Sequence, residues 1–194
     1  MRIFLSLVFV ISVGGLAPIA HAQEFTAEQV GNDSAGHIFR SRIYMSHNKV
    51  RIEPASDKSI QLLDLDAGTS LVLDTARKTY IEQPAAMARQ SLSSFRTADN
   101  TPCVRNLNGT GPATCKQVGT EWINGRKAEK WEIVQTMGGQ TASANVWLDS
   151  QWHLRLKQKV SGMTGELVNI QEGPQSASLF EIPADYHKTA LHVP

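Results

Sequence analysis

From Ile38 onward the chain is written in short segments where apolar and polar residues alternate, each ended by Asp, Asn, Gly or Thr. A period of two fits a half-buried strand and does not fit a helix. Over Ile38–Met45 one side carries Phe39, Ser41, Ile43 and Met45, and the other carries Ile38, Arg40, Arg42 and Tyr44. Val50 and Ile52 alternate with Lys49, Arg51 and Glu53; Ser59–Leu65 is a further apolar run. Leu71 and Leu73 precede Asp74, and Arg77–Glu82 follows. The intervening DAGT and DTAR predict antiparallel hairpins.

The pattern breaks once and then resumes. Pro84 to Arg96 is rich in Ala, with Met87 and Ser91, and Ala88, Leu92 and Phe95, at helical spacing. One short amphipathic helix is predicted there, with Pro84 at or just before its start. A turn-rich stretch around Cys103 and Cys115 follows. Glu121–Ile123 and Lys127–Gln135 then flank Asn124-Gly125, a strong hairpin signal. Gly138-Gly139 turns the chain into a strand with Ala142, Ala144, Val146 and Leu148 on its apolar side. After Asp149-Ser150-Gln151, Leu154, Leu156 and Val160 alternate with His153, Arg155, Lys157 and Lys159; Gly162 turns again, and Gly165–Glu172 makes a last long strand. About nine to eleven strands result. The fold class is mainly β: an antiparallel sheet of that many strands should curl strongly and close or nearly close, with the one helix at its mouth or over its concave face.

Residues 1–22 stand apart. Arg2, an apolar run from Ile3 to Val13 and a closing Ala20-His21-Ala22 make the pattern of a cleaved export signal. That leaves 23–194 as a single domain. No later stretch is long and apolar enough to span a membrane, so a soluble, exported product is expected. In an oxidising compartment Cys103 and Cys115 are expected to form a disulfide worth roughly 3 kcal/mol. Nineteen Lys and Arg against eighteen Asp and Glu leave no basic surplus, which argues against a nucleic-acid binder.

Reactive chemistry is not written in the chain. There is no G-x-S-x-G elbow, no phosphate-cradling glycine loop and no H-x-x-x-H pair. The expectation is therefore no catalytic residue, no metal and no cofactor. His153, Arg155, Lys157 and Lys159 form a basic strip, read first as the solvated side of a sheet and second as a docking face for an anionic partner.

Three stretches carry a family resemblance. They are Ser41–Glu53, Leu71–Tyr80, and Val146–Asp149 taken with Glu166–Ile170 and the closing Leu179-Phe180-Glu181-Ile182-Pro183-Ala184-Asp185-Tyr186. Together they resemble the periplasmic outer-membrane lipoprotein-sorting (LolA/LolB-like) superfamily, and its uncharacterised exported members in particular. The resemblance implies a half-open barrel with a helical lid over an apolar cavity, no covalent chemistry, and a lipid or lipoprotein acyl chain as ligand. It also implies an inner-strand arginine at Arg51. The expected cavity lining is Phe39, Ile43, Met45, Leu71, Leu73, Val146, Leu148, Leu154 and Leu156, with Met87, Leu92 and Phe95 on the inner side of the lid. The alternative is an envelope interaction or sensing module whose barrel is filled and holds no ligand.

Overall fold

The computed structural model describes residues 23–93, 95, 113–137 and 140–190. The strands are β1 (Glu24–Asn32), β2 (Ile38–Ser46), β3 (Lys49–Pro54), β4 (Ser59–Asp64), β5 (Thr69–Asp74) and β6 (Thr79–Glu82), then β7 (Ala113–Ile123), β8 (Arg126–Met137), β9 (Gln140–Asp149), β10 (Arg155–Val160), β11 (Met163–Glu172) and β12 (His187–Lys188). The helix α1 spans Ala85–Ser93. All twelve strands form one open sheet in the order β12-β6-β5-β4-β3-β2-β1-β11-β10-β9-β8-β7. Every pairing is antiparallel except β12 on β6. The hairpins form as expected at Asn124-Gly125, where φ is 50° and 80°, and at Ser161-Gly162, where φ is 46° and 82°. Positive φ at both turn residues matches the twist of the flanking strands.

The strand nearest the start of the described chain was not predicted. Residues 24–32 form β1, which lies between β2 and β11 and joins the two halves of the sheet. Phe25 stands opposite Met45, Met45 opposite Val50, and Val50 opposite Leu63. Residues opposed across a ladder point to the same face, and these four are 0–4% exposed. They begin the main core, which also takes in Ala27, Ile43, Leu154, Leu156 and Leu167 from both halves. An aromatic clasp fastens the halves: Phe25 stacks on Trp152 with ring centroids 5.5 Å apart, and the Arg126 guanidinium lies 3.8 Å from the centroid of the Trp152 ring. Arg126 also bonds Asp149 and Glu172.

The opposite face is covered as well. Residues 173–190 run past a 3-10 turn at Ala177–Phe180 to β12. Arg51 Nη1 donates to the Leu179 carbonyl at 2.9 Å, Lys78 bonds Asp185 and Lys188 bonds Glu82. His187 is thus part of a strand rather than of a frayed end, while His192 lies outside the described residues.

Gly31 is where β1 passes closest to its neighbours. A Cβ there would lie 2.1 Å from the Thr164 carbonyl oxygen and 2.6 Å from the Phe39 ring. Gly31→Ala should therefore destabilise the fold by about 1–3 kcal/mol, read from urea unfolding midpoints. Because Thr164 O is backbone, adding Phe39→Ala should not restore the loss.

The tail carries a pH dependence. The hydrogen bond from Lys78 holds the Asp185 carboxyl below its ordinary 3.8. A lowered folded-state value means that this anchorage is complete above the ordinary value and fades as pH falls through the lower one. The His187 and Thr189 amides, which bond the Lys78 and Tyr80 carbonyls, should shift in NMR spectra with a midpoint below 3.8. Asp185→Asn should remove that step.

Candidate functional site

The helix defines the face to examine. Its Ser91 Oγ accepts a hydrogen bond from Gln61 Nε2 at 2.9 Å, and Gln61 also donates to Ser70 and Gln83. Gln61 stands opposite Ile52 on β3, which places it on the Phe25 face. Leu92 and Phe95 pack against the main core from this side, and Ala88 is 2% exposed. Met87 is 53% exposed and turns to solvent, against the expectation that it lines the lid. With mostly small and polar residues, the described part of α1 has little apolar surface to bury.

The expected lining residues divide. Ile43, Met45, Leu154 and Leu156 meet in the main core, and Val146 and Leu148 belong to a second cluster with Ile133 and Ala144. Phe39 leans on Gly31 at the end of the helix face and is 37% exposed. Leu71 and Leu73 lie on the other face: they oppose Leu62 and Ile60, out of phase with Gln61 and Leu63. Arg51 opposes Leu62 and Tyr44 and lies there too, held by Glu53 and Leu179. The reason is parity, since strand neighbours alternate and Val50 and Ile52 already own the helix face.

A different arginine takes the inner place. β10 is irregular between Arg155 and Lys157 where it meets β9. Such a bulge re-aims a side chain. Arg155 accordingly leaves the basic strip and donates to Gln158 Oε1 at 3.0 Å, beside Phe95. Burial pushes the Arg155 guanidinium pKa down. Lys157 pairs with Glu166 at 2.8 Å and lies over Trp147. His153 sits in a left-handed turn at φ 54°. Only Lys159 of the four is exposed, so they present no continuous basic face.

Among the described residues a small cavity lies beside Phe95, just past the end of α1. Gln29, Phe95, Arg155, Leu156, Gln158 and Leu167 surround a cavity of about 50 Å³. Ligand pockets usually hold 300–1,000 Å³. Larger hollows lie at the rim. One of ≈ 760 Å³ is bordered by Asp57, Asp74, Arg77, Tyr80 and Thr189, and one of ≈ 540 Å³ by Glu24, His47, Asp66 and Glu181. Both have charged walls, and of the expected lining residues only Leu73 borders either. Cys115 is half-buried on β7, and Cys103 lies outside the described residues. Among the described residues no group of three or more His, Cys, Asp or Glu is placed to hold a metal, and no helix is long and apolar enough to cross a membrane.

An open, curled antiparallel sheet with a helix on one face is the architecture that the sequence resemblance implied. No family model matches the chain, and no curated protein does. Solved structures similar to it include MucB in the MucA/MucB complex of Pseudomonas aeruginosa, at 17% identity and a TM-score of 0.45 over 84% of this chain and 56% of that one. They also include a putative outer membrane lipoprotein-sorting protein domain from Vibrio parahaemolyticus, at 11% identity and a TM-score of 0.32 over 81% of this chain and 88% of that one. A third is the lipoprotein LppX of Mycobacterium tuberculosis, at 13% identity and a TM-score of 0.39 over 75% and 83%. The chain spans little more than half of the MucB chain it matches.

The helix should be the first element to open. Its described contacts are buried Ala88, half-buried Leu92 and a polar bond, with Phe95 packing just beyond its end. Amide hydrogen exchange in α1 should run at least ~100-fold faster than in β1–β3, as for a local opening well below the global free energy. Equal protection would show that α1 belongs to the cooperative core.

Proposed function

We propose that this protein is a non-catalytic binding protein of the cell envelope that engages another envelope protein through its surface, with its interior occupied by its own side chains. The observation that carries the reading is the cavity of about 50 Å³ beside Phe95, far below the room an acyl chain needs. Ile43 and Met45, expected to face a ligand, are 0% and 4% exposed and touch other core residues instead. Residues 1–22 are read as an export signal that is cleaved, the product as periplasmic, and Cys103 and Cys115 as a disulfide formed after export.

A second reading has its own support. The thin hold of α1 would let it lift, and an apolar chain could then replace Leu92 and Phe95 on the core. Each buried methylene contributes about 0.8 kcal/mol, so a lipid tail would offset the displaced contacts. Arg155 stands next to that place and would meet an anionic head.

Native mass spectrometry of the protein taken from its own envelope separates the two, together with titration by a dansyl-labelled fatty acid. The expected result is the bare chain mass and no saturable binding below ~100 μM, a limit of roughly 5.5 kcal/mol. A co-purifying lipid near one per chain, or saturable fatty-acid binding that Phe95→Asp abolishes, would replace the first reading by the second.

A further inference from the structure

The two edges of the sheet are not alike. β6 is capped by β12, whereas β7 pairs, among the described residues, only with β8. Thr114 and residues 116–122 are exposed along this edge, with Val118 at 44% and Trp122 at 74%. A free edge of this length offers unpaired backbone donors and acceptors to another strand.

We propose that the strand that pairs with it is β7 of a second copy of this chain, antiparallel, about a twofold axis between Val118 and Gly119. Three features of β7 fit that partner. First, this register sets Lys116 opposite Glu121 of the copy, once on each side of the axis. Both residues are on one face because the bulge between Gln117 and Gly119 inserts one residue between them. Lys116 opposes Glu132, which opposes Asn145, and Glu121 opposes Ala128, which opposes Asp149. Second, Lys116 makes no ion pair among the described residues, while Glu121 is held in place by Lys130 and by Trp147 Nε1. Hydrogen bonds from these two lower the Glu121 pKa and keep it negative for an incoming lysine. Third, nothing lies within 4 Å of a Cβ position on Gly119, which leaves room for Val118 of the copy. The bulge removes ladder bonds at the centre, so pairing runs through the residues on either side and the dimer is a reversible one. This assembly stands independently of which ligand or partner the protein serves.

Sedimentation equilibrium on the mature chain tests it. The wild type should populate dimer at ~100 μM. Lys116→Glu sets four carboxylates around the axis, and Val118→Lys sets two ammonium groups across it. Each should weaken dimerisation by at least tenfold, while Lys159→Glu on β10 leaves it unchanged. Thermal melts by circular dichroism confirm that each variant is folded. A wild type that stays monomeric throughout the range overturns the proposal and leaves the edge to a foreign strand. A dimer that survives both β7 substitutions overturns it equally.

Discussion

The double pairing of β1 is the constraint on which the rest of the molecule depends. The chain builds β1–β6 outward in one direction, then restarts at the far edge with β7 and works back until β11 meets β1. Among the described residues only the β1–β11 ladder joins the two runs. Its partners, such as Phe25 and Glu172 or Asn32 and Thr164, lie more than a hundred positions apart in sequence. Loop-closure entropy must be overcome before those contacts reward it. The clasp of Phe25, Trp152 and Arg126 sits at the end of this seam, where apolar stacking and ion pairs combine to hold it. Burial opposes the Arg126 charge, but the bonds to Asp149 and Glu172 outweigh that effect and raise its pKa. The same topology forces the segment between β6 and β7 to travel from one edge to the other, and α1 begins that crossing on the face that carries the core.

Covering both faces of β3–β6 settles what each face can do. α1 covers one and the tail from Gly173 covers the other, so Leu62 and Leu73 become as buried as Val50 and Leu63. A sheet covered on both sides has no solvent face, and alternation along it no longer separates inside from outside. Parity puts Arg51 on the tail-covered face, and Arg155 lies outside this region on β10. Arg51 becomes a fastener for the tail through Leu179, and Arg155 is turned inward by a bulge.

Strand content was legible wherever one side of a strand is mostly apolar, as in β2, β9 and β10, and hairpins were legible wherever Asn-Gly or Ser-Gly demands positive φ. β1 was not legible, because its inward positions run Phe25, Ala27, Gln29, Gly31 and lose their apolar character halfway. The cause is physical: Gly31 must be bare for Phe39 to lie against it, and such a position gives no hydrophobic signal. Most of β7 was equally silent, since an edge strand with exposed Lys116, Gln117, Thr120 and Glu121 has almost no buried side to betray it. Parity correctly grouped Leu71 with Leu73 and separated Arg51 from Val50. It had no means of saying which group would meet the helix, and the bulge at Arg155 leaves no mark on the pattern at all.

The helix and the core are matched in a way that bears on what the molecule can bind. A lid that kept an apolar hollow dry would need an apolar underside broad enough to replace the ligand when none is present. α1 instead meets the sheet through Ser91, which bonds Gln61 within a polar set that includes Ser70 and Gln83. Ser70 is 0% exposed, so this set is satisfied internally, and lifting the helix would return Gln61 and Ser70 to water rather than to a hydrocarbon. Moving polar groups from a bonded interior site into an apolar one costs several kcal/mol unless new partners appear. An apolar guest is therefore favoured only toward Phe95 and Leu92, at the C-terminal end of the helix, and disfavoured beneath its middle. The covered face is therefore polar toward Gln61 and apolar toward Phe95. A protein segment provides that mixture of groups more readily than a bare acyl chain does.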